Sequence, residues 1–147
     1  MRLTAKSEYG LLALIDLACE GEDGPVSARE IAERQSIPTK FLEQLFVALR
    51  RAGIVNARRG AKGGFVLGRD PREITVLDIV EALEGPLAPT LCDGDSACAK
   101  SPVCAASTVW GRATRALRDV LGSTTLADLA EVQEAMGARE AIASDRG

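Results

Sequence analysis

The segment TKFLEQLFVALRRAG, residues 39–53, sets the tightest limit on the fold. Phe41, Leu42, Leu45, Phe46 and Leu49 recur at i, i+1, i+4, i+5 and i+8, one apolar stripe on a helix, and Gly53 stands where such a helix stops. A stripe of this kind needs a core to lie on, and it turns Thr39, Lys40, Glu43, Gln44, Arg50 and Arg51 outward. Directly upstream, SAREIAERQ carries the S-x-x-E capping box in Ser27 and Glu30, with Ile31 and Ala32 as its inner face. The short turn SIP joins the two helices. Downstream, IVNAR and FVLGR are strand-like runs on either side of RGAKGG, a glycine-rich hairpin tip that carries basic residues. Helix, tight turn, helix and basic hairpin, in that order, are the parts of a winged helix-turn-helix. The expected fold is mainly α with a small β-wing.

The rest of the chain is helical in pattern. Thr4 is placed to cap a first helix, AKSEYGLLALIDLAC, which the EGEDGP break with Gly21, Gly24 and Pro25 ends. Thr75 and Asp78 cap VLDIVEALE, and Gly85 and Pro86 stop it. From Ala105 a long amphipathic helix follows, with Ala106, Val109, Trp110, Ala113, Ala116, Leu117, Val120 and Leu121 on one side and Arg112, Arg115 and Arg118 on the other. A last helix, STTLADLAEVQEAM, is entered through Thr125 and Asp128, and a loose tail is expected beyond it. The division is a winged-helix domain over 1–85, a cysteine-rich loop over 86–104, the long helix and C-terminal helix over 105–136, and a flexible tail over 137–147.

Charge divides along the same lines. The net charge is -3, yet residues 1–72 hold 12 of the 18 basic and 9 of the 21 acidic residues, a net of +3, while the remainder carries -6. The positive half suits a polyanion. With its N-terminus toward a major groove, the second short helix would offer Thr39, Lys40, Glu43 and Gln44 to base edges, where Glu accepts from cytosine N4 and Gln bonds adenine. Arg58, Arg59 and Lys62 on the hairpin would neutralise phosphates or enter the minor groove. RGAKGG is no nucleotide-binding P-loop, because the G-K-[S/T] ending and the following helix are both missing. An enzyme is the least favoured class: the chain contains no histidine, and no nucleophile or carboxylate pair stands at catalytic spacing. No stretch has the length to span a bilayer and the N-terminus is no signal peptide, so a cytoplasmic protein with reduced cysteines is expected.

Those cysteines pose the sharpest chemical question. Cys92, Cys98 and Cys104 stand at equal spacing with five residues between neighbours, in CDGDSACAKSPVC. Structural zinc usually takes C-x2-4-C pairs completed to four by Cys or His, which this loop does not supply. An iron-sulfur cluster tolerates varied spacing, and three thiolates plus one weaker donor would hold a labile one. Zinc and reduced, empty thiols stay open beside it. Cys19, at the end of an apolar helix, reads as a small core residue.

The segments MRLTAKSEYG, FLEQLFVALRRAGIV, RGAKGGFVLGRD, VLDIVEALEGPLAP and TTLADL, together with the three-cysteine loop, resemble the IscR, NsrR and CymR family of bacterial transcription regulators over about residues 1–133. The resemblance implies a homodimer joined by the long dimerisation helix after the cysteine loop, binding a palindromic operator in double-stranded DNA. It implies Cys92, Cys98 and Cys104 as ligands of a 2Fe-2S or 4Fe-4S cluster. In the IscR branch the fourth ligand is a histidine three residues after the last cysteine, and here that place is Ser107. The NsrR branch resembles this chain in an acidic residue near the start of the first helix, contributed across the dimer, and Glu8 occupies that place. Glu8 of the partner subunit therefore ranks first as fourth ligand, ahead of Ser107, then Asp93 or Asp95, with a non-protein ligand also open. The bland alternative for Glu8 is a solvated or salt-bridged residue in the first turn of a helix. By position, Glu43 and Gln44 resemble the recognition-helix pair, and Arg59 and Gly60 the wing. The CymR branch implies the main alternative, a cluster-free repressor controlled by thiols or a protein partner. An iron-sulfur or zinc protein-interaction module is the alternative of another class.

Overall fold

In the computed structural model, which describes residues 3–88 and 103–146, Thr4 opens α1 (Ala5–Glu20) by accepting from the Lys6 amide. After one 3-10 turn, Gly21–Asp23, helix α2 (Ala28–Gln35) starts under the Ser27 and Glu30 capping box, each side chain accepting from the other's amide. It ends at Ser36, left-handed with φ of 55°, where the Ile37 amide donates back to the Ala32 carbonyl at 3.0 Å. That conformation costs a residue with a side chain about 1 kcal/mol. The reversal buries Ile37 and launches α3 (Thr39–Arg51).

Strands β1 (Val55–Arg58) and β2 (Gly64–Leu67) form an antiparallel hairpin, with Val55 opposite Leu67 and Arg58 opposite Gly64. Two fastenings tie this wing to the helices. Val26 and Phe65 exchange backbone hydrogen bonds of 3.0 and 2.7 Å, and the Phe65 ring lies 4.5 Å from that of Phe46 on the inner side of α3. Gly64 must be glycine for the first of them, since a Cβ there would meet the Val26 carbonyl carbon at 2.5 Å.

A 3-10 turn, Pro71–Glu73, leads to α4 (Val76–Glu84), capped by Thr75 and Asp78, and later in the chain come α5 (Ala106–Ser123) and α6 (Leu126–Arg146). The Val76 amide donates to the Thr124 carbonyl at 2.9 Å and the Leu126 amide to the Ile74 carbonyl at 2.8 Å, so the start of α4 clasps the α5–α6 corner. Leu14, Leu17, Ile31, Leu42, Phe46, Leu49, Ile79 and Leu126 fill the core. A smaller cluster of Val76, Val80 and Leu87 receives Leu117, Leu121 and Leu129. The architecture is a mainly helical winged helix with one two-stranded sheet among the described residues. No helix among them is long and apolar enough to cross a membrane.

Three sequence expectations change. The segment from residue 137, predicted as a loose tail, is helical through Arg146, because GAREAIASDR is rich in good helix formers and Gly137 alone does not stop α6. The apolar side of α5 divides: Leu117 and Leu121 pack on α4, whereas Val109, Trp110, Ala113, Ala116 and Val120 are exposed. Cys19 is half-buried between α1 and α6 rather than inside the core, its thiol 3.7 Å from the Ala130 carbonyl.

Candidate functional site

The period of α3 separates two faces completely. Leu42, Leu45, Phe46 and Leu49 are buried, while Thr39, Lys40, Glu43, Gln44, Arg50 and Arg51 are exposed, as the apolar stripe requires. Pro38 precedes the helix and makes no side-chain cap, so the first amides of α3 and the positive end of its dipole stay open. On the wing, Arg58, Arg59, Gly60 and Lys62 are exposed, and Gly60 takes φ of 119°, which a side chain would resist. Arg29, Arg34, Arg72 and Arg118 each pair with a carboxylate, but Lys40, Arg50, Arg58, Arg59 and Lys62 make no ion pair among the described residues. Cations left unpaired beside one another repel, and a polyanion relieves that repulsion. Sequence reasoning passed over two residues here: Arg69, exposed just past β2, and Val47, exposed on the outward side of α3. The basic residue closing FVLGR was the signal for Arg69.

A buried carboxylate on α1, Asp16, ties α2 to α1. Arg34 of α2 donates from Nη2 to Asp16 Oδ1 at 2.7 Å and from Nε to Oδ2 at 2.9 Å, and Gln35 donates from Nε2 to Oδ2 at 2.9 Å. The Asp16 side chain is 3% exposed and that of Arg34 38%. The fork raises the already high Arg34 pKa, the hydrogen bond to Asp16 being the largest cause.

Of the candidate ligands, Cys92, Cys98, Asp93 and Asp95 lie outside the described residues. Cys104 is half-buried just before α5, and its carbonyl accepts from the Ser107 amide at 3.1 Å and from the Ser107 hydroxyl at 2.7 Å. The Ser107 proton is thus engaged in starting the helix. Glu8 is exposed in the first turn of α1, with no side-chain hydrogen bond or ion pair among the described residues. No group of three or more metal-ligating side chains gathers among the described residues of one chain. Burial pushes the Cys19 thiol up, aided by Glu134, Glu20 and Asp16.

The turn that bears Glu8 is anchored by Glu84, the last residue of α4. Glu84 Oε1 accepts from the Thr4 amide at 2.9 Å, from the Thr4 hydroxyl, and from the Ser7 hydroxyl at 2.9 Å. Burial alone would raise the Glu84 carboxyl, but the hydrogen bonds from Thr4 and Ser7 outweigh it and hold it below its ordinary value of 4.5. A depressed carboxylate stabilises the fold fully above its unfolded pKa, and that contribution is lost as the pH falls through the folded one. Urea unfolding between about pH 6 and about pH 3 should therefore show a stability loss that shrinks in Glu84→Gln. An unchanged pH profile in that variant would remove Glu84 as its source.

Comparison with known proteins agrees with this geometry. Residues 3–132 match the Rrf2 family, described as "Iron-dependent Transcriptional regulator". The chain is 43% identical over 130 residues to the protein Rrf2 of Nitratidesulfovibrio vulgaris, covering 88% of this chain and 87% of that protein. It superposes with a TM-score of 0.76 and 41% identity on CymR, "the Global Cysteine Regulator of B. subtilis", over 90% of this chain and 98% of that one. With IscR of T. potens the TM-score is 0.74 at 39% identity, over 94% of this chain and 90% of that one. The chain belongs to the Rrf2 family of transcriptional regulators, and it is a DNA-binding protein rather than an enzyme.

Proposed function

We propose that this regulator acts as a homodimer on a palindromic operator, with binding controlled by an iron-sulfur cluster held by Cys92, Cys98, Cys104 and Glu8 of the partner subunit. The observation that carries the DNA-reading half is the set of unpaired cations on α3 and the wing, Lys40, Arg50, Arg58, Arg59 and Lys62. Thr39, Glu43 and Gln44 supply base-reading chemistry beside them, and Gly60 lets the wing turn.

Support for the dimer comes from α5. Val109, Ala113, Ala116 and Val120 recur at four, three and four residues, the seam of a helix that packs on another helix, and all four are exposed in the single chain. Trp110, 45% exposed, extends that face. A second copy of the same helix matches it in chemistry.

Three thiolates and a carboxylate form a donor set that suits iron and sulfide, since the soft ligands dominate and the hard one exchanges easily. Glu8 fits the fourth place better than Ser107, being an exposed anion, whereas the Ser107 proton is held by the Cys104 carbonyl. When bound, such a cluster supplies one-electron redox chemistry and lability toward oxidants. The chain's own contribution is to join the Glu8 turn to α4 through Glu84, so that a ligand change there reaches the helix leading into the loop.

The test of the DNA-reading half compares matched and scrambled duplexes at fixed salt. Gln44→Ala should lose about 1–3 kcal/mol on the matched site only. Arg59→Ala should weaken both duplexes and flatten the salt dependence by roughly two counterions, one for each subunit of the dimer. Equal losses for the two variants on both duplexes would defeat the assignment. The likeness to CymR favours a second reading, control through thiols or a protein partner without a cluster. Wild-type protein that stays colourless without oxygen and resists reconstitution would establish it in place of the first.

A further inference from the structure

Val47 is 59% exposed, in a helix whose other large apolar residues are all buried or packed against the core. A β-branched residue gains nothing from such a position: valine is a poorer helix former than alanine, lysine or glutamine, and Val47 is not among the apolar residues packed against the core. Single exposed apolar residues are ordinary on protein surfaces, so exposure alone says little. Its companions say more. Lys40, Glu43, Gln44 and Val47 stand at i, i+3, i+4 and i+7 on the outward face, and the first three are exposed and free of ion pairs among the described residues. This is the spacing by which the third helix of a homeodomain reads the major groove. Seven residues advance a helix by about 10 Å, roughly three base steps along a strand. Arg50 and Arg51 flank Val47 on the following turn, where they suit phosphates. The surroundings are too polar for a protein hot spot, which needs a fully desolvated apolar pocket.

We propose that Val47 is a specificity-determining residue that packs on the C5-methyl group of a thymine in the operator's major groove. Thymine is the one base that presents a methyl group there, and an apolar side chain distinguishes it by excluding water from that methyl. The stripe then reads three chemistries in one line: an ammonium for guanine, a carboxylate and an amide for exocyclic amines, and a valine for thymine. This proposal rests on the reading of α3 as the groove-reading helix.

The experiment selects high-affinity duplexes from a random pool with the full-length protein, then replaces each thymine singly by deoxyuridine, which removes only the methyl. Wild-type protein should lose affinity about fourfold at one thymine per half-site, the effect of about one buried methyl group. Val47→Ala, a change that favours the helix and removes the contact in both half-sites, should bind the thymine duplex about sixteenfold more weakly and no longer distinguish it from the deoxyuridine one. The proposal is overturned if no single thymine matters to the wild type, or if Val47→Ala keeps the full discrimination. Glu43→Ala and Gln44→Ala, assayed on the same duplexes, separate the two levels. Loss of base preference in these variants beside unchanged methyl discrimination in Val47→Ala sinks the Val47 proposal alone. Unchanged preference in all three sinks the groove-reading assignment of α3 with it.

Discussion

Cys98→Ala, purified without oxygen, is expected to be colourless, with iron and sulfide reduced to background, and to remain a folded dimer. Complete rather than partial loss is expected because a set of three thiolates and one carboxylate has no spare soft ligand. Cys98 is the informative choice among the three cysteines. Cys104 is half-buried just before α5, so replacing its side chain changes the packing there as well as the ligand set. Two companion variants locate the fourth ligand. Glu8→Ala should bleach the protein within the time of a gel-filtration run, while Ser107→Ala should hold its cluster as the wild type does. Visible absorption that survives Cys98→Ala unchanged would contradict the ligand set outright.

Asp16→Ala should cost roughly 2–3 kcal/mol, a large share of the stability of a domain this size. Removing Asp16 strands the Arg34 guanidinium and the Gln35 amide, three donors that now converge on one nearly inaccessible carboxylate. Breaking a fully buried pair usually costs more, but Arg34 keeps 38% of its side chain open and can turn toward water. The control is Glu33→Ala, which breaks a pair whose partners are 82% and 66% exposed and should change stability by a few tenths of a kcal/mol at most. Urea unfolding at a fixed protomer concentration compares the two, since association would otherwise shift the midpoint. Similar losses for both variants would mean that the clamp contributes no more than a surface pair. Operator affinity should fall with stability in Asp16→Ala, because the Asp16 carboxylate ties α1 to α2 of the helix-turn-helix.

What could be read in advance was local. The boxes at Ser27 and Glu30, Thr75 and Asp78, and Thr125 and Asp128 all form, because the spacing of three residues itself brings the side chains to the amides. The outward direction of Lys40, Glu43 and Gln44 followed from helical period alone. The clamps did not, since Asp16 and Arg34 are 18 residues apart, and Glu84 and Thr4 are 80 apart. Nothing in a polar side chain's identity names its distant partner. The division of α5 was hidden for a different reason. Its apolar side is too wide for one contact, and periodicity gives Leu117 and Leu121, which pack on α4, the same weight as Val109 and Val120, which stay exposed.

The Glu84 anchor also imposes an order in time. Closing a loop of 80 residues costs roughly 4 kcal/mol in chain entropy, whereas α2, α3 and the hairpin meet through short connections. Local contacts form first in folding, so the opening turn of α1 is among the last parts to settle and, on loosening, among the first to exchange its amide hydrogens. On the ribosome the contrast is sharper. Thr4 and Ser7 emerge 80 and 77 residues ahead of Glu84, and they must wait for it before the turn that bears Glu8 is held.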